Sequence, residues 1–227
     1  MELVRTVGDM IHRGLFRLPS LLPAEGHGRI LRACFEYKYR RPDPWRYEVA
    51  PYEVSKYATT LACVPPRSYR RIADIGCSEG TFTCRVAQTY PAAEVVGVDI
   101  SERALRRADR RASVQGRDIT FMARNIVEGS PDGLFDLVFC SELLYYFGSQ
   151  DRLRLACSRI TALLAPRGLL VAVHPWPESR RLHCPFGSDQ RLTQHSERVE
   201  TTTSRPYAVV VYERSPTGRE TDPYRGH

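Results

Sequence analysis

From Ile72 onward, short apolar runs alternate with longer amphipathic stretches. Strands that alternate with helices form a parallel sheet covered on both faces, because each connecting helix must pack back onto the sheet. At 227 residues the chain is long enough for one such domain with appendages. The predicted strands are 72–75, 94–98, 119–122, 134–140 and 169–173, and the predicted helices are 81–88, 102–114 and 151–164.

The rhythm changes after the fifth predicted strand. Residues 175–196 are polar, contain prolines and lack periodicity, so we expect a loop there. Two further apolar runs, 199–203 and 207–213, are separated by turn-forming residues and predict an antiparallel hairpin at the sheet edge. The sequence therefore predicts an α/β fold with a mostly parallel seven-stranded sheet, helices on both faces and a C-terminal antiparallel hairpin.

Three regions are expected along the chain. Residues 1–66 form an N-terminal helical extension or lid, with an amphipathic helix over 3–18 and a second helix over 29–39. Residues 67–214 form the α/β domain. Residues 215–227 carry Pro, Gly and charged residues and predict a disordered tail.

The strongest chemical signal is the segment RIADIGCSEGTF, in which a strand leads through Gly76, Ser78 and Gly80 into a helix. Glycines at such a turn let the backbone approach a ligand at the carboxyl end of the sheet. The next strand ends in VVGVDIS, which places Asp99 where its carboxylate can accept hydrogens from ribose hydroxyls. The two motifs together predict a site for a nucleotide-like cofactor.

The spacing of the glycines in this loop distinguishes between two classes of cofactor. A dinucleotide fingerprint reads G-x-G-x-x-G, whereas this loop reads G-x-S-x-G and has Thr81 at the final glycine position. Asp74, at the end of the first strand, can face a cationic amino-acid group on the cofactor. The pattern resembles a class I S-adenosylmethionine-dependent methyltransferase over residues 72–213, which implies a Rossmann-like class I methyltransferase fold and S-adenosyl-L-methionine as the cofactor.

In this family the glycine loop holds the methionine part of the cofactor and the acid after the second strand holds the ribose. The resemblance therefore implies cofactor-binding roles for Asp74, Gly76, Ser78, Gly80 and Asp99.

Two more cofactor-binding candidates follow later strands. The family places an acidic or amide residue after the third strand, near the adenine, which implies Asn125; capping of a turn is the alternative. Ser141, at the end of the fourth strand, is the other candidate.

Three longer segments, FEYKYRRPDPWRYEVAPYEVSKY, IGCSEGTFT and FDLVFCSELLYYF, are similar to the nodulation N-methyltransferase (NodS-like) family. An aromatic segment helps to cover the cofactor in that family, which implies that Trp45 and Tyr47 are lid residues, with Tyr39 and Tyr52 nearby; simple packing of the N-terminal helices is the alternative. The resemblance implies methyl transfer to an amine or hydroxyl of a small molecule, such as an amino-sugar, an oligosaccharide or a secondary metabolite.

Methyl transfer requires an aligned acceptor and a group that removes the acceptor's proton. His174 ends the fifth strand and is the expected base, with a hydrogen-bonded structural role as the alternative. Glu142 and Tyr146 follow the fourth strand, so a carboxylate and a phenol are expected beside the acceptor. Inward packing of this segment is the alternative.

The excess of Lys and Arg over Asp and Glu is +7, which keeps an RNA acceptor as an alternative. Five arginines, Arg103, Arg106, Arg107, Arg110 and Arg111, have helical spacing, and we expect a solvated helix face. A non-catalytic, methyltransferase-like binding or regulatory protein is the remaining alternative.

The cysteines and the apolar runs indicate the cellular compartment of the protein. The seven cysteines form no CxxC pair and the histidines have no ligand-like spacing, so we expect no metal site and a reducing, cytoplasmic compartment. No apolar run approaches the roughly 20 residues that span a bilayer, so no membrane partner is expected. The sequence leaves the oligomeric state open.

Overall fold

The computed structural model describes residues 24–216. The predicted helix over 3–18 and nearly all of the predicted tail lie outside these residues. The elements, in chain order, are α1 (Ala24–Lys38), α2 (Pro51–Ala62), β1 (Arg71–Ile75), α3 (Thr81–Thr89), β2 (Glu94–Asp99), α4 (Glu102–Val114), β3 (Ile119–Ala123), β4 (Phe135–Ser141), a 3-10 turn (Leu144–Phe147), α5 (Gln150–Ala162), β5 (Leu164–Pro175), α6 (Ser179–Gly187), β6 (Leu192–Glu200) and β7 (Tyr207–Arg214).

The strands form one seven-stranded sheet in the order β3-β2-β1-β4-β5-β7-β6. Strands β1 to β5 pair in parallel, and β7 pairs antiparallel with both β5 and β6. The predicted parallel sheet and antiparallel hairpin are therefore confirmed. The strand order reverses between β1 and β4, and open α/β sheets bind ligands at the carboxyl ends of the strands at such a switch point.

Alternate side chains of the strands pack on opposite faces of the sheet. On one face, Ile72 packs in a cluster with Phe82 and Val86 of α3. On the other face, Ala73 and Ile75 belong to the cluster that contains Leu153 and Ile160 of α5. Within residues 24–216, no helix is both long and apolar enough to cross a membrane.

Three predictions of secondary structure need correction. The first strand of the hairpin, predicted over 199–203, is β6 and runs over Leu192–Glu200. The predicted helix over 151–164 ends at Ala162, because Leu164 already pairs with Phe135 as the first residue of β5. The predicted loop over 175–196 contains α6 and the first half of β6. Helix α6 buries Leu182 and Phe186 in the core, so tertiary packing stabilises a segment whose local pattern is irregular.

Candidate functional site

A cavity of about 720 Å³ lies over the carboxyl ends of β1, β2 and β4. We call it the main cavity. Seven of the predicted cofactor-binding residues border it: Gly76, Ser78, Asp99, Asn125, Ser141, Trp45 and Tyr47. Two of the predicted catalytic residues, Glu142 and Tyr146, border it as well.

The glycine loop brings bare backbone to the cavity. Gly76 has φ +83°, and a Cβ atom there would meet the Leu143 side chain at 3.3 Å. The Gly76 N–H donates to the Val98 carbonyl at 2.7 Å, which ties the loop to β2. Ser78 also has a positive φ, of 55°. The loop therefore adopts a turn that glycine favours, and its backbone forms part of the cavity wall.

Gly80 lies outside the lining of the main cavity. It precedes α3 with φ +74°, and a Cβ atom there would lie 2.8 Å from the Ala108 Cβ atom of α4. It does not border the main cavity or any other cavity at this end of the sheet that the structure describes. Gly80 thus allows α3 and α4 to pack closely, and the structure does not bring it to the predicted cofactor site.

The Asp99 carboxylate is fixed at the end of β2. Its Oδ2 atom accepts a hydrogen bond from the Ser78 N–H and its Oδ1 atom accepts one from the Ser101 N–H, each at 2.9 Å. Burial raises the pKa of Asp99 to about 6, although these backbone donors favour the charged form. Because each carboxylate oxygen has two lone pairs, Asp99 can still accept hydrogens from a ligand.

Asp74 borders a second cavity, of about 410 Å³, which shares Gly76, Ser78 and Glu142 with the main cavity. Its Oδ2 atom accepts a hydrogen bond from the Thr83 hydroxyl at 2.7 Å. Burial raises the pKa of Asp74 to about 7, and the nearby charge of Asp99 adds to the increase. A cationic ligand group beside Asp74 would relieve this penalty.

Two charged residues of α2 that the sequence analysis missed also border the second cavity. The Lys56 ammonium is buried and lies 2.9 Å from the Glu53 carboxylate and 3.2 Å from that of Glu142. Burial opposes the charge on Lys56, but the carboxylates of Glu142 and Glu53 outweigh it and raise its pKa. Charges three residues apart are typical of an exposed helix face, so the sequence gives no sign that this pair is buried.

Glu142 connects the two cavities. It has φ +54°, a conformation that costs energy for a residue with a side chain, and its N–H donates to the Val173 carbonyl at 2.9 Å. Its Oε1 atom is 3.2 Å from the Lys56 ammonium and its Oε2 atom accepts from the Tyr145 hydroxyl at 3.0 Å. The carboxylate is therefore held in one orientation at the junction of the cavities.

His174 is fully buried and borders neither cavity. Its Nε2 atom accepts hydrogen bonds from the backbone N–H groups of Leu143 and Leu144, at 3.2 and 3.0 Å. Because Nε2 is an acceptor, the proton of the neutral ring lies on Nδ1, which is 2.9 Å from His183 Nε2. Both ring nitrogens are thus occupied, so the structure does not place His174 where it could act as the predicted base; its geometry is that of the structural alternative.

Three aromatic residues, Tyr39, Trp45 and Tyr47, border the main cavity, and we call them the aromatic lid. The Trp45 and Tyr47 rings are stacked at 5.6 Å, and the Tyr39 ring meets Trp45 edge-on at 5.3 Å. The Tyr39 hydroxyl donates to the Ser78 hydroxyl at 2.7 Å, so the lid contacts the glycine loop. Tyr52 packs against Tyr207 instead and borders neither cavity.

Asn125 and Tyr146 complete the main cavity. The Asn125 amide donates to Glu128 at 2.8 Å and accepts from the Val127 N–H at 3.3 Å, so this residue both caps a turn and borders the cavity. The Tyr146 ring meets Phe35 of α1 edge-on at 4.9 Å. Asn125 is therefore fixed by Glu128, which lies outside the cavity lining, whereas Tyr146 packs against Phe35, which borders the cavity as well.

Residues 72–168 match the model of a family described as a methyltransferase domain. Nodulation protein S of Rhizobium tropici is 30% identical over 130 residues, which are 57% of this chain and 53% of the relative. Trans-aconitate 2-methyltransferase of Afipia carboxidovorans is 28% identical over 167 residues, which are 71% of this chain and 62% of the relative. The chain thus spans between about half and two thirds of the length of these relatives.

Solved structures show the same fold. The N-methyltransferase NodS from Bradyrhizobium japonicum, crystallised with S-adenosyl-L-homocysteine, has a TM-score of 0.71 at 24% identity and covers 81% of this chain and 97% of its own. Magnesium protoporphyrin IX methyltransferase from Synechocystis has a TM-score of 0.64 at 19% identity and covers 83% and 97%. These likenesses confirm the predicted Rossmann-like class I methyltransferase fold.

Proposed function

We propose that this chain, which contains a class I methyltransferase domain similar to that of nodulation protein S, is an S-adenosylmethionine-dependent methyltransferase. Its acceptor is an amine or hydroxyl of a small molecule. The observation that carries the proposal is the position of the Asp99 carboxylate, which borders the main cavity at the switch point and is bonded to the glycine loop.

The residues present fit this cofactor. Asp99 would hold the ribose hydroxyls, Asn125 would lie at the adenine end, and the bare backbone at Gly76 would face the middle of the cofactor. Its amino-acid end has an ammonium and a carboxylate, and the second cavity offers the opposite charges on Asp74 and Lys56. When bound, S-adenosylmethionine supplies a methyl group activated by a positively charged sulfur.

The protein's part in the reaction is to align the acceptor and to exclude water. The aromatic lid and Tyr146 all border the main cavity. These groups fix the reacting partners without taking part in bond making. We propose that residues 24–66, the described part of the extension predicted over 1–66, serve as the lid region of the domain.

Glu142 is the group best placed to receive the acceptor's proton. Its carboxylate borders both cavities, and Lys56 and Tyr145 fix its orientation. We assign His174 a positioning role instead, because it accepts the two N–H groups that follow Glu142 in the chain. Removal of a general acid or base costs about 10²–10⁴ in rate.

Turnover on a panel of small amines and hydroxyl compounds tests the proposal. With labelled S-adenosylmethionine, the wild-type protein should methylate at least one acceptor, and Glu142→Gln should lower kcat by about 100-fold. Glu102→Gln is the matched control, because Glu102 is an exposed acid at the start of α4. No turnover on any acceptor, with the cofactor bound, would favour the non-catalytic alternative; wild-type turnover in Glu142→Gln would refute the role of Glu142.

Cofactor binding should depend on pH through Asp74. With a pKa of about 7, this buried carboxyl is largely protonated at pH 6, and only its charged form attracts the cofactor's ammonium. Affinity for S-adenosylhomocysteine should therefore rise by up to about tenfold per pH unit between about pH 5.5 and pH 7. Calorimetric titration at several pH values measures this, and Asp74→Asn should make the profile shallower above about pH 6, since the remaining slope below that comes from Asp99, whose pKa is about 6. Equal affinity across this range in the wild-type protein would contradict it.

The RNA alternative has less support in the structure. Four of the five clustered arginines of α4 form ion pairs with glutamates of this chain, so part of the charge that suggested RNA is already neutralised. We also propose the cytoplasm as the location, because all seven cysteines are free thiols in the described structure and four of them are buried.

A further inference from the structure

Three arginines of α4 lie four residues apart, at positions 103, 107 and 111. Residues at this spacing share one face of a helix. All three side chains contact residues 36–48 or Glu79. Glu79 lies in the glycine loop and itself binds the backbone of residues 36–48. We call residues 36–48 the lid segment, because it carries Tyr39, Trp45 and Tyr47.

Arg107 makes the central contacts. Its guanidinium donates to the Glu79 carboxylate at 2.5 Å and to the carbonyl oxygens of Arg41 and Arg40 at 3.2 and 3.4 Å. The other oxygen of the Glu79 carboxylate accepts from the Asp43 N–H at 2.9 Å. Arg107 and Glu79 therefore bind the backbone of the lid segment at three points, and the Glu79 side chain is only 5% exposed.

Arg103 and Arg111 bind the two ends of the lid segment. The Arg103 guanidinium lies 3.5 Å from the Glu36 carboxylate, which also accepts from the Arg103 N–H at 3.1 Å. Arg111 pairs with both oxygens of Glu48 at 3.1 and 3.2 Å, and donates to the Glu79 carbonyl at 3.0 Å. The three arginines thus span the whole lid segment.

The described contacts of the other two arginines, Arg106 and Arg110, lie within α4. Arg106 lies 3.8 Å from Glu102, one turn earlier, and Arg110 donates to the Arg106 carbonyl at 3.1 Å. Both are exposed. The predicted solvated face of α4 therefore holds for Arg106 and Arg110, and the prediction needs correction for Arg103, Arg107 and Arg111.

We propose that Arg103, Arg107 and Arg111 are positioning residues that hold the aromatic lid over the main cavity and slow the release of the cofactor. We call them the arginine clamp. They do not border the cavity themselves, so their effect passes through the lid. The consequence for cofactor release rests on the proposed function, whereas the effect on the lid does not.

The conformation of the lid segment explains why it needs such anchors. Between α1 and α2, residues 39–50 form only turns, and two of them, Asp43 and Arg46, have positive φ values of 43° and 59°. Left-handed residues with side chains persist only where surrounding contacts hold them. Loss of the clamp contacts should therefore release the turn that carries Trp45 and Tyr47.

Trp45 fluorescence tests the clamp without any cofactor. The chain has two tryptophans, so Trp176→Phe leaves Trp45 as the single reporter. In this background Arg107→Gln should raise the acrylamide quenching constant of Trp45 by about twofold, because local opening exposes the ring to solvent. Arg110→Gln, on the exposed face of the same helix, should leave quenching unchanged. Equal quenching in both variants would overturn the proposal.

Dissociation of S-adenosylhomocysteine, measured by stopped-flow displacement, tests the consequence for the site. Arg107→Gln should speed release by about tenfold, the effect of losing one charge-assisted hydrogen bond, and Arg110→Gln should match the wild type. Arg111→Gln provides a second variant if Arg107→Gln does not fold. Wild-type protein that fails to bind the ligand would refute the proposed function; binding with unchanged release in both clamp variants would refute the clamp.

Discussion

Replacement of Asp99 by alanine is expected to weaken the binding of S-adenosylhomocysteine by about 100-fold or more. The carboxylate borders the main cavity and would accept hydrogens from the ribose hydroxyls, and bonds of this charge-assisted kind contribute about 1.5–3 kcal/mol each. Its loss also leaves the Ser78 and Ser101 N–H groups without their acceptor. Isothermal titration calorimetry of the purified variant measures the change in affinity.

Two variants control for indirect effects of this substitution. Asp99→Asn keeps one acceptor oxygen and should lose less affinity than Asp99→Ala. Glu102→Ala removes an exposed carboxylate three residues later and should bind as the wild type does. Wild-type affinity in folded Asp99→Ala would refute the ribose assignment.

Replacement of His174 by alanine is expected to lower the free energy of unfolding by about 2–5 kcal/mol. The buried N–H groups of Leu143 and Leu144 would lose their acceptor, and each unsatisfied buried group costs about 1–3 kcal/mol. The melting temperature should fall by about 5–15 °C. Turnover should fall too, because the same segment carries Glu142. Thermal unfolding followed by circular dichroism measures the first effect.

A matched control for this variant is His195→Ala, since His195 is exposed on β6 and its removal should leave stability unchanged. His174→Gln supplies a side-chain oxygen as an acceptor and should recover part of the stability. If His174→Ala kept the wild-type melting temperature and lost only turnover, His174 would act as a base and the positioning role would be refuted.

The five parallel strands could be predicted to within a few residues at most of their ends, because buried strands between amphipathic helices have a distinct pattern. Strand β6 lacks that pattern. Its segment LTQHSERVE is largely exposed and joins the sheet through backbone pairing with β7, which the side chains do not reveal. Helix α6 was also missed, because it contains Pro185 and depends on burial of Leu182 and Phe186.

The residues that border the main cavity at the strand ends and in the glycine loop were largely predictable, because they follow buried strands directly. Gly76 and Asp99 follow directly from strands that lie side by side in the sheet. The residues proposed to lie beside the acceptor were harder to predict. A histidine at a strand end gives no indication of which groups will bond its ring nitrogens, and the donors to His174 come from a segment about 30 residues earlier.

Charged residues were hardest to place. The buried group of Glu53, Lys56 and Glu142 brings together two elements that are far apart in the chain. The arginines of α4 divide into two faces whose difference depends on the lid segment, which lies some 60 residues earlier. Helical spacing shows which arginines share a face, but only the packed structure shows what that face meets.

Titration of the wild-type protein with S-adenosylhomocysteine, in parallel with NAD, tests which cofactor the main cavity binds. We expect micromolar binding of S-adenosylhomocysteine, about −8 kcal/mol, and no measurable binding of the dinucleotide. The reverse preference, or no binding of either ligand by the folded protein, would contradict the assignment of the main cavity to the methyl donor.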